Sequence, residues 1–263
     1  MQNKDLAILV SAFGTSQETG KSAEVCIDQL LKKEFPEIPV YWSYTSRTIK
    51  NFLTHRKKVV FSPEEVLTRL ICERYRKIYV LCLHVIPGKE YHSFYYNLKL
   101  ISHLKKSIST IKITGPLIRN LSDLQKIGNT ILKLFNPAEE EALVFMGHGT
   151  KHPAGFVYTA LNAWINYFHP RIFLSAPDCF PDLSIIIKKL KKLKVKKIIL
   201  HPFMFVAGEH ALNDMAGDSP HSWQSILIKE GFECRSIIKG LGDYPEFAQI
   251  YISHLKEVFS DEE

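Results

Sequence analysis

The chain has 263 residues, enough for one large α/β domain or two halves of about 130 residues each. With 46% hydrophobic and 23% charged residues it has the composition of an ordinary globular protein, which excludes disordered, collagen-like and coiled-coil chains. The net charge of +7 favours an anionic partner without choosing among nucleic acid, phosphate and a polycarboxylate. Cys26, Cys72, Cys82, Cys179 and Cys234 are odd in number, scattered, and form no C-x-x-C pair, which argues against a disulfide framework or a structural zinc site and for a cytoplasmic location. The apolar run Leu6–Phe13 reads as a buried strand rather than the core of a signal peptide, and no apolar stretch approaches the roughly 20 residues that span a bilayer.

In chain order, predicted strands over 6–12, 40–44, 77–84, 111–114, 142–146, 172–175, 197–203 and 232–237 alternate with predicted helices over 16–33, 62–76, 90–107, 122–135, 155–168, 182–193, 222–230 and 244–259. Most of the strands are continuously apolar, as in a parallel sheet covered on both faces. Ser62-Pro63-Glu64-Glu65 opens its helix with an N-cap serine, a first-turn proline and two acids. The polar segment Asn136-Pro137-Ala138-Glu139-Glu140-Glu141 sits midway and marks a boundary between an N-terminal αβ lobe, 1–136, and a C-terminal one, 137–263.

The two halves read as a duplication. Ile8 to Thr15 lies over Leu143 to Thr150, Val40 to Ser43 over Ile172 to Ser175, and Lys77 to Gly88 over Lys197 to Gly208, in the same order and each in a strand-then-turn context. The expected fold is α/β: two similar βα lobes with mostly parallel sheets and a cleft between them. Superposed, the halves differ where chemistry would sit: Phe13 lies opposite His148, Ser46 opposite Asp178, and Glu90 opposite His210. Because ligands of open α/β sheets bind at the carboxyl ends of the strands, His148, Asp178 and His210 should converge on one edge of the second lobe, with Glu90 facing them. Two imidazoles and a carboxylate suit a divalent transition metal in an open site. The competing reading is that any one of 11 histidines falls after a strand by chance.

Other motifs are weaker. Gly14, Gly147 and Gly149 occur in neither G-x-G-x-x-G nor G-x-x-x-x-G-K-[ST], so tight turns are the simpler reading than nucleotide binding. The lysine-rich run 188–197 reads as the solvated face of a helix that buries Ile185, Ile186, Leu190 and Leu193, rather than as a nucleic-acid or membrane patch. Trp164, Tyr167 and Phe168 fit core spacing on a helix better than a stacking platform.

Val144-Phe145-Met146-Gly147-His148-Gly149 and Val206-Ala207-Gly208-Glu209-His210-Ala211-Leu212-Asn213-Asp214-Met215-Ala216 closely resemble signature segments of the anaerobic sirohydrochlorin cobaltochelatases of cobalamin biosynthesis, relatives of the class II chelatases. Ser11 to Ser16, Thr45-Ser46, Leu83 to Tyr91 and Gly240-Leu241-Gly242 extend the resemblance along the chain. It implies a tetrapyrrole cleft and ATP-independent insertion of Co2+ into sirohydrochlorin, with no tightly bound cofactor, no nucleic-acid or membrane partner, and a homo-oligomer left open. His148 and His210 match the family's metal-binding histidines, and Glu90 an acid on the opposing wall. Asp178 falls where the family usually has a glutamate, one methylene longer. His148 and Glu90 are the catalytic candidates; His148, Asp178 and His210 are the metal-ligand candidates. A ferrochelatase using Fe2+ to make sirohaem and a non-catalytic tetrapyrrole or metal carrier are the alternatives.

Overall fold

The computed structural model describes residues 5–15, 20–56, 59–104 and 110–260. The first lobe carries β1 (Leu6–Ala12), α1 (Lys21–Glu34), β2 (Val40–Tyr44), α2 (Arg47–His55), α3 (Pro63–Cys72), β3 (Lys77–Cys82), α4 (Lys89–Leu104), β4 (Thr110–Ile113) and α5 (Leu121–Leu134). The second carries β5 (Glu141–Gly147), α6 (Phe156–Phe168), β6 (Ile172–Ser175), α7 (Leu183–Lys192), β7 (Lys197–Phe203), a π-helical turn His210–Met215, α8 (Trp223–Lys229), β8 (Glu233–Ser236) and α9 (Pro245–Ser260). Residues 16–19 of the predicted helix 16–33 and 105–107 of 90–107 lie outside the described residues.

The strands form two four-stranded sheets, ordered β2-β1-β3-β4 and β6-β5-β7-β8, and every pairing is parallel. The repeat holds at the level of single pairs. Ile8 opposes Val40 and Leu6 opposes Lys77 in the first sheet, and their counterparts Leu143 and Ile172, and Glu141 and Lys197, oppose each other in the second.

Continuous apolar runs form these strands because both faces are covered. Successive side chains alternate between faces, so Ile8 and Val10 of β1 and Leu143 and Phe145 of β5 enter one central core, while Ala7, Leu9, Ala142 and Val144 enter two outer ones. The outer cores are closed by α3 and α4 on the first sheet and by α7, α8 and the π-helical turn on the second. Each fully buried Leu, Ile or Phe contributes roughly 1.5–3 kcal/mol.

Helices cross between the lobes. Within α9, Tyr251 donates a hydrogen bond to the Leu83 carbonyl (3.2 Å), and Phe259 stacks on Tyr79 of β3 with ring centroids 3.8 Å apart. In the opposite direction α5 packs on α6, and Phe135 just after α5 meets Phe145 of β5 edge-on at 5.3 Å. The central core is therefore common to both lobes.

Several boundaries depart from the sequence reading. Strand β3 stops at Cys82 rather than His84, and Leu83 and His84 line the cleft. Helix α3 ends at Cys72 because Arg74 adopts a left-handed conformation (φ 64°). Helix α2 and the π-helical turn were unexpected. On α7 the buried residues are Ile186, Ile187 and Leu190, so Leu193 (41% exposed) is not part of the packed face. Of the aromatics on α6, Trp164 packs against the core, whereas Tyr167 is 83% exposed and does not.

Candidate active site

Four turns at the carboxyl ends of β1, β3, β5 and β7 enclose a cleft of about 540 Å³ between the lobes. Its walls include Phe13 and Gly14 after β1, His84 to Tyr91 after β3, His148 to Thr150 after β5, and Met204 to His210 after β7. Glycines make two of the turns. Gly14 (φ 93°) and Gly149 (φ 82°) occupy the left-handed region, and a Cβ on Gly149 would lie 2.3 Å from the Pro177 carbonyl oxygen. Gly147 lets β5 run against the ring of Tyr158, which a Cβ would meet at 2.5 Å.

The structure brings His148 and His210 together. Their ring centroids are 4.4 Å apart with the planes at 80°, and the Phe13 ring of the first lobe lies 5.9 Å from that of His148. Both histidines are exposed to the cleft. Glu90, in the first turn of α4, lines the same cleft from the first lobe. His210 donates through Nδ1 to Asp214 Oδ2 at 2.5 Å.

Asp178 is placed differently from the expectation. It sits exposed on the turn after β6, in a left-handed conformation (φ 58°), and does not line the cleft. Among the described residues no group of three or more His, Cys, Asp or Glu side chains is gathered closely enough to hold a metal ion. The expected trio of His148, Asp178 and His210 is therefore not assembled. The contact of Gly149 with Pro177 does set the Asp178 turn beside the His148 turn.

Beneath the cleft lie groups kept neutral by burial. Burial pushes the Tyr158 hydroxyl well above its ordinary range, so it remains a phenol beside the backbone of His148 and Gly149. The His84 ring borders the cleft with its nitrogens shut off from water. Burial brings its pKa down to about 4, and its Nδ1 is 3.2 Å from the Cys82 sulfur, whose thiol burial pushes up to about 12. All five cysteines are free thiols. Sequence reasoning missed Tyr158, His84 and Asp214. Asp214 stands four residues beyond His210, but the intervening Asn213 and the nearby glycines hid the helical turn that makes this spacing meaningful.

No helix among the described residues is long and apolar enough to cross a membrane. The family model for cobalt chelatase (CbiK) matches residues 6–260. The chain is 31% identical over 255 residues to sirohydrochlorin cobaltochelatase CbiKC of Nitratidesulfovibrio vulgaris, covering 96% of this chain and 90% of that protein. It is 27% identical over 257 residues to the sirohydrochlorin cobaltochelatase of Salmonella typhimurium, covering 97% and 96%. Its fold is similar to that of SirB from Bacillus subtilis, solved with Fe3+, with a TM-score of 0.65 at 12% identity over 96% of this chain and 95% of that one. A duplicated parallel-sheet scaffold, a paired-histidine cleft at its strand ends and a match over nearly the whole length together place this chain in the CbiK cobalt chelatase family.

Proposed function

We propose that the protein inserts Co2+ into sirohydrochlorin, without ATP, as a step of cobalamin biosynthesis. The observation that carries this reading is the pair of imidazoles 4.4 Å apart on one wall of an interlobe cleft that also exposes Glu90. The near full-length identity to two sirohydrochlorin cobaltochelatases supports the choice of substrate. Insertion requires the metal to lose its water and the macrocycle to lose two pyrrole protons. Neutral imidazole nitrogens suit both tasks near neutral pH. His148 and His210 hold the substrate metal, His148 accepts a pyrrole proton once the ion has left it, and Glu90 accepts a proton or passes the ion from the facing wall. Asp178 contributes its carboxylate through a bridging water or after a shift of its turn. The eight carboxylates of sirohydrochlorin are attracted by a chain of net charge +7, and the five free thiols suit a reducing cytoplasm.

The test is an absorbance assay of the purified protein with sirohydrochlorin and either Co2+ or Fe2+, scored against spontaneous insertion. Multiple turnovers faster with Co2+ are expected. A rate equal to the spontaneous one would leave a carrier, and a clear preference for Fe2+ would make it a ferrochelatase.

A further inference from the structure

We infer that Asp214 is a positioning residue that fixes His210 as an Nε2 ligand for the substrate metal, an assignment that rests on the proposed metal-inserting role of the cleft. The π-helical turn is anchored from beneath. Ala211 and Met215 are both fully buried in the outer core of the second lobe, and the Ala216 amide closes the widened turn on the Ala211 carbonyl. That anchoring leaves His210 and Asp214, one turn apart, to project together from the opposite side. Their contact of 2.5 Å commits the Nδ1 proton of His210 to a carboxylate. An imidazole has one proton when neutral, so a proton held on Nδ1 leaves the Nε2 lone pair bare for a metal. The same hydrogen bond orients the ring that lies at 80° to His148.

The pair is not there for stability. The His210 and Asp214 side chains are 48% and 56% exposed, and an ion pair or hydrogen bond so open to water contributes little to folding. Its effect falls on ligand geometry and basicity. Carboxylates that accept from metal-bound histidines raise ligand affinity typically by about 10–100-fold. The turn itself fits this use, since π-type widenings recur at functional sites.

The experiment compares wild type with Asp214→Ala and Asp214→Asn in the full-length protein, after checking that thermal midpoints are unchanged. Long-range 1H–15N NMR of the metal-free protein reads the His210 tautomer, and Co2+ titration followed by visible d–d absorption reads affinity. The expected result is an Nδ1–H tautomer in wild type that is lost in Asp214→Ala, with Co2+ affinity lower by about 10–100-fold. Asp214→Asn should fall between, because its amide oxygen still accepts from Nδ1 without the charge. An unchanged tautomer, or Co2+ affinity equal to wild type in Asp214→Ala, overturns the inference. Insertion assays separate it from the broader reading: if tautomer and affinity follow Asp214 while wild type inserts no metal, the positioning role stands and the chelatase reading falls.

Discussion

His148 meets an aromatic ring from one lobe and an imidazole from its own. Phe13 occupies the corresponding turn of the first lobe, so one copy of the duplicated turn became apolar packing while the other acquired a donor. His148→Ala should accordingly remove most catalysed insertion. Glu90→Gln keeps shape but not charge or proton affinity, and should lower kcat with KM for sirohydrochlorin largely kept, the pattern of a group used in the transition state. The loss should be below the 10²–10⁴-fold typical of general acid–base groups, because water reaches an open cleft. Steady-state rates across pH for both variants check this; a near-normal His148→Ala enzyme would remove that residue from its role. Gly149→Ala is expected to lower stability by about 2–3 kcal/mol, since the left-handed backbone and the Pro177 carbonyl both oppose a Cβ. Urea denaturation measures it, and weakened Co2+ binding should accompany it because the same turn carries His148. At this scale the sequence located His148, His210 and Glu90 through the superposed turns. Asp178 lies on the neighbouring turn, outside the cleft wall, because an aligned turn fixes where a residue lies along the chain and not how far it stands from its neighbours in space.

At the level of elements, the strands were legible because a doubly covered parallel strand is written as an uninterrupted apolar run. Four of the eight carry the boundaries expected from sequence. Helix α2 was not legible. It follows Thr45-Ser46 directly, and its RTIKNFLTH sequence carries few strong helix formers, so tertiary contacts such as that of buried Ile49 hold it. Helices α5 and α6 show how closely elements approach. A Cβ on Gly128 of α5 would meet the Trp164 ring at 2.3 Å. Ala has a helix propensity better than Gly by about 1 kcal/mol, yet overpacking a fixed indole typically costs about 1–3 kcal/mol. Gly128→Ala should therefore lower the thermal midpoint in spite of its better propensity; a raised midpoint would show that the indole yields freely.

For the whole molecule, buried histidines govern acid stability. Burial takes His84 and His201 from an ordinary 6.5 down to about 4, and burial, then Arg119, also lowers His254. Each is neutral in the folded state where the unfolded chain would already be protonated. Unfolding then takes up protons, so stability falls as pH drops from 6.5 towards 4, by up to about 1.4 kcal/mol per pH unit for each of His84 and His201, and is fully present above 6.5. Denaturant midpoints at pH 7 and pH 5 should differ accordingly, and equal midpoints would mean that these rings are not held neutral. The two-lobe plan was visible in the repeat. What the repeat could not reveal is which sheet each terminal helix serves, because an apolar face on α5 or α9 is the same sequence signal whichever lobe receives it.

That exchange is reciprocal: the last helix of each half, α5 or α9, lies against the other half. A polypeptide of half this length would close its core only by lending its final helix to a second copy, so the pseudo-symmetric monomer has the layout of a fused, helix-swapped dimer. Split at 136/137 and co-expressed, the two fragments should co-purify as a tight complementing pair, while either alone should aggregate through its uncovered sheet.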